Sequence, residues 1–208
     1  MPKRFLSEQA KHALGSAIQT VEAKSAAEVV ITVRRRSSCY TGVHVVFAAV
    51  CSFAMLAFLL FSPYSFSLWS VLLDPWLVAI GAYATSSQVP AMSRWMTPAR
   101  VLAERVQSAA HRMFFDKGVR HTRDRIGILV FLSLTERRAV IIADSGVQDA
   151  VPLGPWNQAV AEISAAMQEG RSGTEIAKRI ANLGDILSQV LPRGEDDENE
   201  LPDEVCGQ

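Results

Sequence analysis

Between Ser37 and Leu73 the chain carries no Asp, Glu, Lys or Arg, a run of 37 residues in a sequence of 208. A helix on the surface of a globular domain needs a polar face, so few soluble arrangements accept such a stretch. Within it, Val43 to Phe61 is 19 residues with His44 and Ser52 as its polar members. At 1.5 Å per residue a helix of that length spans roughly 28 Å, close to the ~30 Å hydrocarbon layer of a bilayer. The run shows no amphipathic period and is too long for an ordinary core helix. A secretory signal is not expected, because about 40 helix- and strand-like residues come before it.

A second apolar stretch, Phe66 to Ala84, is interrupted by Asp74-Pro75, and the uncharged Ser62-Pro63-Tyr64-Ser65 suits a tight turn between the two. Residues 43–86 therefore read as a transmembrane helical hairpin with spans at about 43–61 and 66–86. Arg34, Arg35 and Arg36 precede it, Arg94 and Arg100 follow it, and the turn has no basic residue. That asymmetry predicts both termini in the cytoplasm, with Tyr64, Trp69, Tyr83 and Trp95 near the interfaces. Asp74 is the one formal charge inside the hairpin. A carboxylate at membrane depth is costly and invites a relay or self-association role. Its expected role is plainer: Asp74 as N-cap and Pro75 as first residue of a helix. The second span would then be two half-helices, or would start deeper than its hydropathy suggests.

The overall composition, 49% apolar and 20% charged with zero formal net charge, hides this unevenness. Seven acids (Glu195, Asp196, Asp197, Glu198, Glu200, Asp203 and Glu204) stand in the tail, leaving 14 acids against 21 Lys and Arg elsewhere, a body of about +7. The tail, 193–208, is too polar to bury a core and is expected to be disordered. Cys39, Cys51 and Cys206 sit in unlike surroundings and form neither a disulfide framework nor a metal set.

The flanks pattern as a domain. Ser7 can cap a helix whose apolar face is Ala10, Leu14, Ala17, Ile18 and Val21, and Glu28 to Val33 is a β-branched strand. After the hairpin, Thr97-Pro98 opens a helix to about Phe115 with Val101, Leu102, Val106 and Met113 on one face. Ile126 to Leu134 and Arg138 to Ala143 are two strands joined by the turn Thr135-Glu136-Arg137, an antiparallel hairpin. Pro155 opens a helix with Trp156, Val160, Ile163 and Met167 inward, and a last helix carries Ile176, Ile180, Leu183, Leu187 and Val190. Neither flank can bury its strands alone. The expectation is one discontinuous, layered helix-sheet-helix α/β domain with a small mixed sheet, residues 6–36 and 98–192, interrupted by the membrane hairpin. Two spans keep both halves on one side of the bilayer, as a shared sheet requires.

The segment His121-Thr122-Arg123-Asp124-Arg125-Ile126-Gly127-Ile128-Leu129-Val130, followed by Glu136 to Val147 with its Ala143-Asp144-Ser145-Gly146-Val147, resembles the TPM domain. That family includes a thylakoid lumen protein, a photosystem II repair factor and a worm receptor modulator. Ser25-Ala26-Ala27-Glu28-Val29-Val30 is similar to its first helix-to-strand junction. The chain differs from secreted relatives in having no export signal, in the inserted hairpin and in lacking a Gly-rich tail, so it looks closer to a bacterial membrane-anchored branch. The resemblance implies one of several roles: acid phosphatase, calcium binding, or assembly and repair.

Candidate chemistry gathers around the two motif blocks. Asp144 at a strand end, with Asp124 and Asp149, offers carboxylates for a hard cation such as Ca or Mg. Arg123, Arg125 and Arg138 could hold a phosphoryl group or a partner. His121 could act as a general acid, which makes His121, Asp124 and Asp144 the catalytic candidates. A structural reading competes, with Asp144 capping a turn and pairing with Arg125 or Arg138. Two functions follow. One is a membrane-tethered cytoplasmic domain of the bacterial inner membrane that binds, assembles or maintains membrane protein complexes, its partners being the bilayer and a membrane protein or itself, with no nucleic acid. The other is a divalent-metal-dependent phosphatase.

Overall fold

The computed structural model describes residues 5, 7–38, 40–194 and 206–207. Cys39 and the seven tail acids lie outside these. The chain divides into two compact units, one formed by Met1–Ser37 with Ala103–Gln208 and the other by Ser38–Leu102.

In the first unit, the Ser7 hydroxyl accepts the Ala10 N–H at 3.2 Å and starts α1, Glu8–Lys24, whose buried face is Ala10, Leu14, Ala17, Ile18 and Val21. This is the face and the cap that the sequence predicts. β1, Glu28–Arg34, lies parallel to β2, Gly127–Ser133, in register from Glu28 opposite Gly127 to Arg34 opposite Ser133. β3, Arg138–Ala143, returns antiparallel to β2, and Ser133 faces Arg138. The expected small mixed sheet is present.

Strand alternation sorts the side chains into two cores. Val29, Ile31 and Val33 with Ile128, Val130 and Leu132 pack under α1 and three later helices: Leu153–Glu169, Gly173–Ala181 and Leu183–Val190. Val30, Leu129 and Phe131 pack under Val106, Ala110 and Phe114 of the helix Ala99–Asp116. Residues 29–33 and 128–132 are buried throughout, so both faces of the sheet are covered. A strand buried on both faces reads as a continuous apolar run, which is how β2 stands out in the sequence.

The second unit is built on α2, Thr41–Phe61, and α3, Leu68–Gln88, which pack on each other. His44 is buried and meets the Tyr83 ring edge-on at 6.3 Å between centroids, while Phe58 stacks obliquely on Phe66 at 6.1 Å. A short helix α4, Pro90–Met96, follows; the helix Ala99–Asp116 is α5.

Several boundaries differ from expectation. Asp74 does not cap a helix: α3 runs unbroken from Leu68 with Pro75 inside it. Ser67 supplies an earlier cap, its Oγ accepting the Trp69 N–H at 3.4 Å. Pro75 then lacks the N–H that would reach the Val71 carbonyl, so one helical hydrogen bond is missing. The helix expected from Pro155 starts at Leu153 (α7, Leu153–Glu169), after an unforeseen short helix α6, Ser145–Ala150. The single closing helix is two, α8 (Gly173–Ala181) and α9 (Leu183–Val190), meeting at Asn182. The bend keeps both short apolar stripes on α1, and Gly184 comes so close that an added Cβ would lie 3.2 Å from Val21 Cα. In the tail, Cys206–Gly207 is a two-residue strand, β4, parallel to β1, which completes the order β3-β2-β1-β4. Those two residues depart from the expected disorder because the open edge of β1 offers backbone partners.

Candidate functional site

The motif residues meet where the chain enters β2. After Gly118, at φ 68°, a 3-10 turn Val119–His121 leads to Arg125, a non-glycine residue at φ 54° whose N–H returns to the Thr122 carbonyl at 3.1 Å. Gly127 is required by close approach, since a Cβ there would lie 2.2 Å from the Val119 carbonyl oxygen. Gly146 is in the same position, since a Cβ there would lie 2.4 Å from the Asp124 carbonyl oxygen, and its N–H bonds the Arg125 carbonyl at 3.0 Å. Two motif glycines are therefore explained by backbone packing.

Asp144 completes this junction. Its N–H reaches the Gly127 carbonyl at 2.9 Å, and its Oδ1 accepts the Ser145 N–H at 2.7 Å as N-cap of α6. Its Oδ2 is buried with no hydrogen-bond partner. His121, Arg123, Asp124, Arg125 and Asp149 are exposed. Among the described residues, no three His, Cys, Asp or Glu side chains come together to hold a metal ion. Neither Asp144, Asp124 and Asp149 as a Ca or Mg set, nor His121, Asp124 and Asp144 as a catalytic group, is assembled. The Asp144 carboxylate is turned onto its own helix start, and the others stand at solvated positions.

Strand direction explains why Asp144 misleads. Ligands in open α/β sheets collect at the carboxyl ends of parallel strands. Asp144 ends the antiparallel strand β3, so it lies beside Gly127, at the amino end of the parallel pair. The carboxyl end of β1 and β2 is the Arg34–Ser133 end.

That end carries a polar cluster that the sequence reading treated as a turn. Glu136, 3% exposed, takes the Ser37 N–H at 3.1 Å on Oε1 and the Ser133 hydroxyl on Oε2, while the Ser37 hydroxyl donates to Ser133 Oγ at 2.6 Å. Thr135 closes the same end, its N–H and hydroxyl reaching the Arg35 carbonyl at 3.0 and 2.5 Å. Arg138 belongs here by register, away from Arg123 and Arg125. The signal available in the sequence was Ser133 itself, a hydroxyl continuing the Leu129-Phe131 face of a buried strand and so in need of a partner.

Cavities among the described residues of this unit include three. The first, about 510 Å³, is lined by Phe5, Ala10, Leu134, Met167 and Gly173, with Arg171 at its edge. The hydrogen bond that Arg171 Nε donates to Glu169, then the charge of Glu175, hold its guanidinium above the usual arginine range. The second, about 850 Å³, is an open groove along α1 and α8. The third, about 200 Å³, lies at the carboxyl end of β1 between Arg34, Arg36, Ser37 and the α5 residues Arg112, Met113 and Asp116. Its lining is the most strongly charged of the three.

No protein-family model matches the chain, and no curated protein matches it in sequence. Among solved structures, the NMR structure of the BA42 protein from the psychrophilic bacterium Bizionia argentinensis is similar, with a TM-score of 0.60 at 15% sequence identity over 100% of this chain and 99% of that one. At that identity the likeness establishes a shared mixed α/β fold.

Proposed function

We propose that this chain is an integral membrane protein of TPM-like type, held by the α2–α3 hairpin in a bacterial inner membrane with its α/β unit on the cytoplasmic side. We further propose that it acts by binding, in the assembly or maintenance of membrane protein complexes. One observation carries the reading. α2 and α3 are each 21 residues long, about 32 Å at 1.5 Å per residue, and only 17% and 6% of their apolar windows are buried within the protein. Phe53, Phe61, Leu68, Trp69, Trp76 and Leu77 are all more than half exposed. A soluble protein rarely leaves so large an apolar surface to water, whereas acyl chains cover it without cost. The buried positions are few: His44, Ala48 and Leu59 of α2, and Pro75 and Ser86 of α3. Arg34 to Arg36 on one flank and Arg94 and Arg100 on the other support cytoplasmic ends and contact with an anionic leaflet.

The same geometry disfavours hydrolysis. The carboxylates and His121 stand apart, and Asp144 has a structural use. Reporter fusions at the carboxyl terminus test the topology: activity from a reporter that folds only in the periplasm would overturn it. Crosslinking in native membranes followed by purification tests the binding role, and recovery of this chain alone as a monomer would count against it. Phosphatase activity with and without divalent metal should be equal in the native protein and in Asp144→Asn.

A further inference from the structure

We propose that the outer edge of β1 is a docking site for an extended acidic peptide, and that the chain's own carboxyl-terminal segment occupies it. Backbone alternation defines that edge. The Glu28 N–H reaches the Ile126 carbonyl at 3.2 Å, and the Arg34 carbonyl takes the Leu134 N–H at 3.0 Å. Glu28, Val30, Thr32 and Arg34 therefore turn their backbone groups toward β2, and Val29, Ile31 and Val33 turn theirs toward the outer edge.

The amino end of the edge is closed by other means. The Val29 N–H donates to Glu22 Oε1 at 3.1 Å. Just before it, the Ala26 N–H reaches the Leu191 carbonyl at 3.0 Å, beside the bridge between Ser25 and Pro192. Farther along, Ile31 and Val33 are 0% and 1% exposed, and here the edge is met by a strand. Thr32 lies opposite Cys206 and Val33 opposite Gly207 of β4. Buried backbone groups need such partners, so this stretch is where a strand is accepted. Recognition of this kind reads an extended main chain through its hydrogen bonds.

The pairing is weak enough to open. β4 meets β1 through two residues, where β2 pairs through seven with β1 and through six with β3. Two residues of ladder gain little beyond the entropy cost of ordering them. Proximity favours the seated form. The chain leaves α9 next to Ser25, and Cys206 follows Pro192 by fourteen residues. Those residues reach roughly 46 Å when extended, against the ~23 Å of strand from Ser25 to Thr32. The tether is long enough to seat the segment and slack enough to release it. Seven acids between Gly194 and Cys206 are set against a body of about +7, which strengthens the seating and defines the charge of a competing peptide.

The test measures amide hydrogen exchange by NMR on the full chain in a neutral detergent. Cys206→Pro removes the donor of β4 and should speed exchange at Val33 by about tenfold or more, while Val30, bonded to β2, stays unchanged. Cys206→Ala keeps the donor and should match the native chain. A synthetic peptide of residues Leu201–Gln208, added to the Cys206→Pro chain, should restore protection at Val33. Crosslinking checks that the segment docks on its own chain. Thr32→Cys, with Cys39→Ser and Cys51→Ala, sets a thiol opposite Cys206, and oxidation should join the two within one molecule. Thr32 tolerates the change because its buried Oγ1 has no hydrogen-bond partner to lose. Equal Val33 exchange in the native and Cys206→Pro chains, or crosslinks formed solely between molecules, overturns occupation by the chain's own segment. A peptide that leaves Val33 unprotected overturns the docking site.

Discussion

The Val119 carbonyl oxygen occupies the place where a side chain on Gly127 would begin, 2.2 Å from the ideal Cβ. Backbone presses on backbone here, so no rotamer change relieves the contact. Gly127→Ala is expected to destabilise the protein by about 2–4 kcal/mol, the upper part of the range for overpacking. Gly15→Ala, inside α1 with nothing within 4 Å of its Cβ, should instead stabilise by about 0.5–1 kcal/mol. Thermal unfolding in one detergent would show the two shifts with opposite signs.

Glu136 accepts two hydrogen bonds from residues 96 positions apart in sequence, Ser37 and Ser133. Glu136→Ala leaves the Ser37 N–H and the Ser133 hydroxyl without that acceptor in a buried place. A loss of about 2–4 kcal/mol is expected, with Glu136→Gln costing less because its amide oxygen still accepts. Denaturant titration of both variants checks the order.

Asp144 serves its helix through one oxygen and leaves the other buried and unpaired. Asp144→Ala should cost about 1 kcal/mol through loss of the cap. Asp144→Asn keeps an oxygen for Ser145 and removes the unpaired charge, so its melting temperature should equal or exceed that of the native protein. A large loss on Asp144→Asn would point to a charged partner for the carboxylate.

Pro75 interrupts the hydrogen-bond ladder of α3 at the Val71 carbonyl. Pro75→Ala restores the donor and should stabilise the helix by about 1–3 kcal/mol, below the full penalty of an interior proline because the native helix has already adapted. Unfolding of the hairpin in micelles, followed by helical circular dichroism, measures it.

Local patterns were legible where one chain segment decides the outcome. Ser7, the α1 stripe and the β2–β3 hairpin follow from spacing alone, because each is set by neighbours in sequence. The candidate metal set failed for a reason that spacing does not contain. Asp124, Asp144 and Asp149 are close in the chain, yet the antiparallel return of β3 puts Asp144 against Gly127 at the unproductive end of the parallel pair. The opposite end draws on Ser37, Arg112 and Ser133, residues separated by the whole apolar insertion. Their meeting depends on the parallel register of β1 and β2, which no local window encodes. Likewise Ser67 outcompetes Asp74 as a cap because seven more residues of helix start there, a choice made by total helix length and hidden from any two-residue motif.

The parallel register also sets an order of events during synthesis. Glu28 pairs with Gly127, 99 residues later. At roughly 5–20 residues per second, the ribosome needs on the order of 5–20 seconds to deliver the partner strand. Throughout that interval β1, all of whose apolar residues end up buried, has neither β2 nor β4 beside it. An apolar strand with two open edges is a template for pairing with other chains. The insertion emerges in that window, so the apolar segments leave the ribosome before the sheet can close. Biogenesis of the domain is thereby gated by the segment that interrupts it.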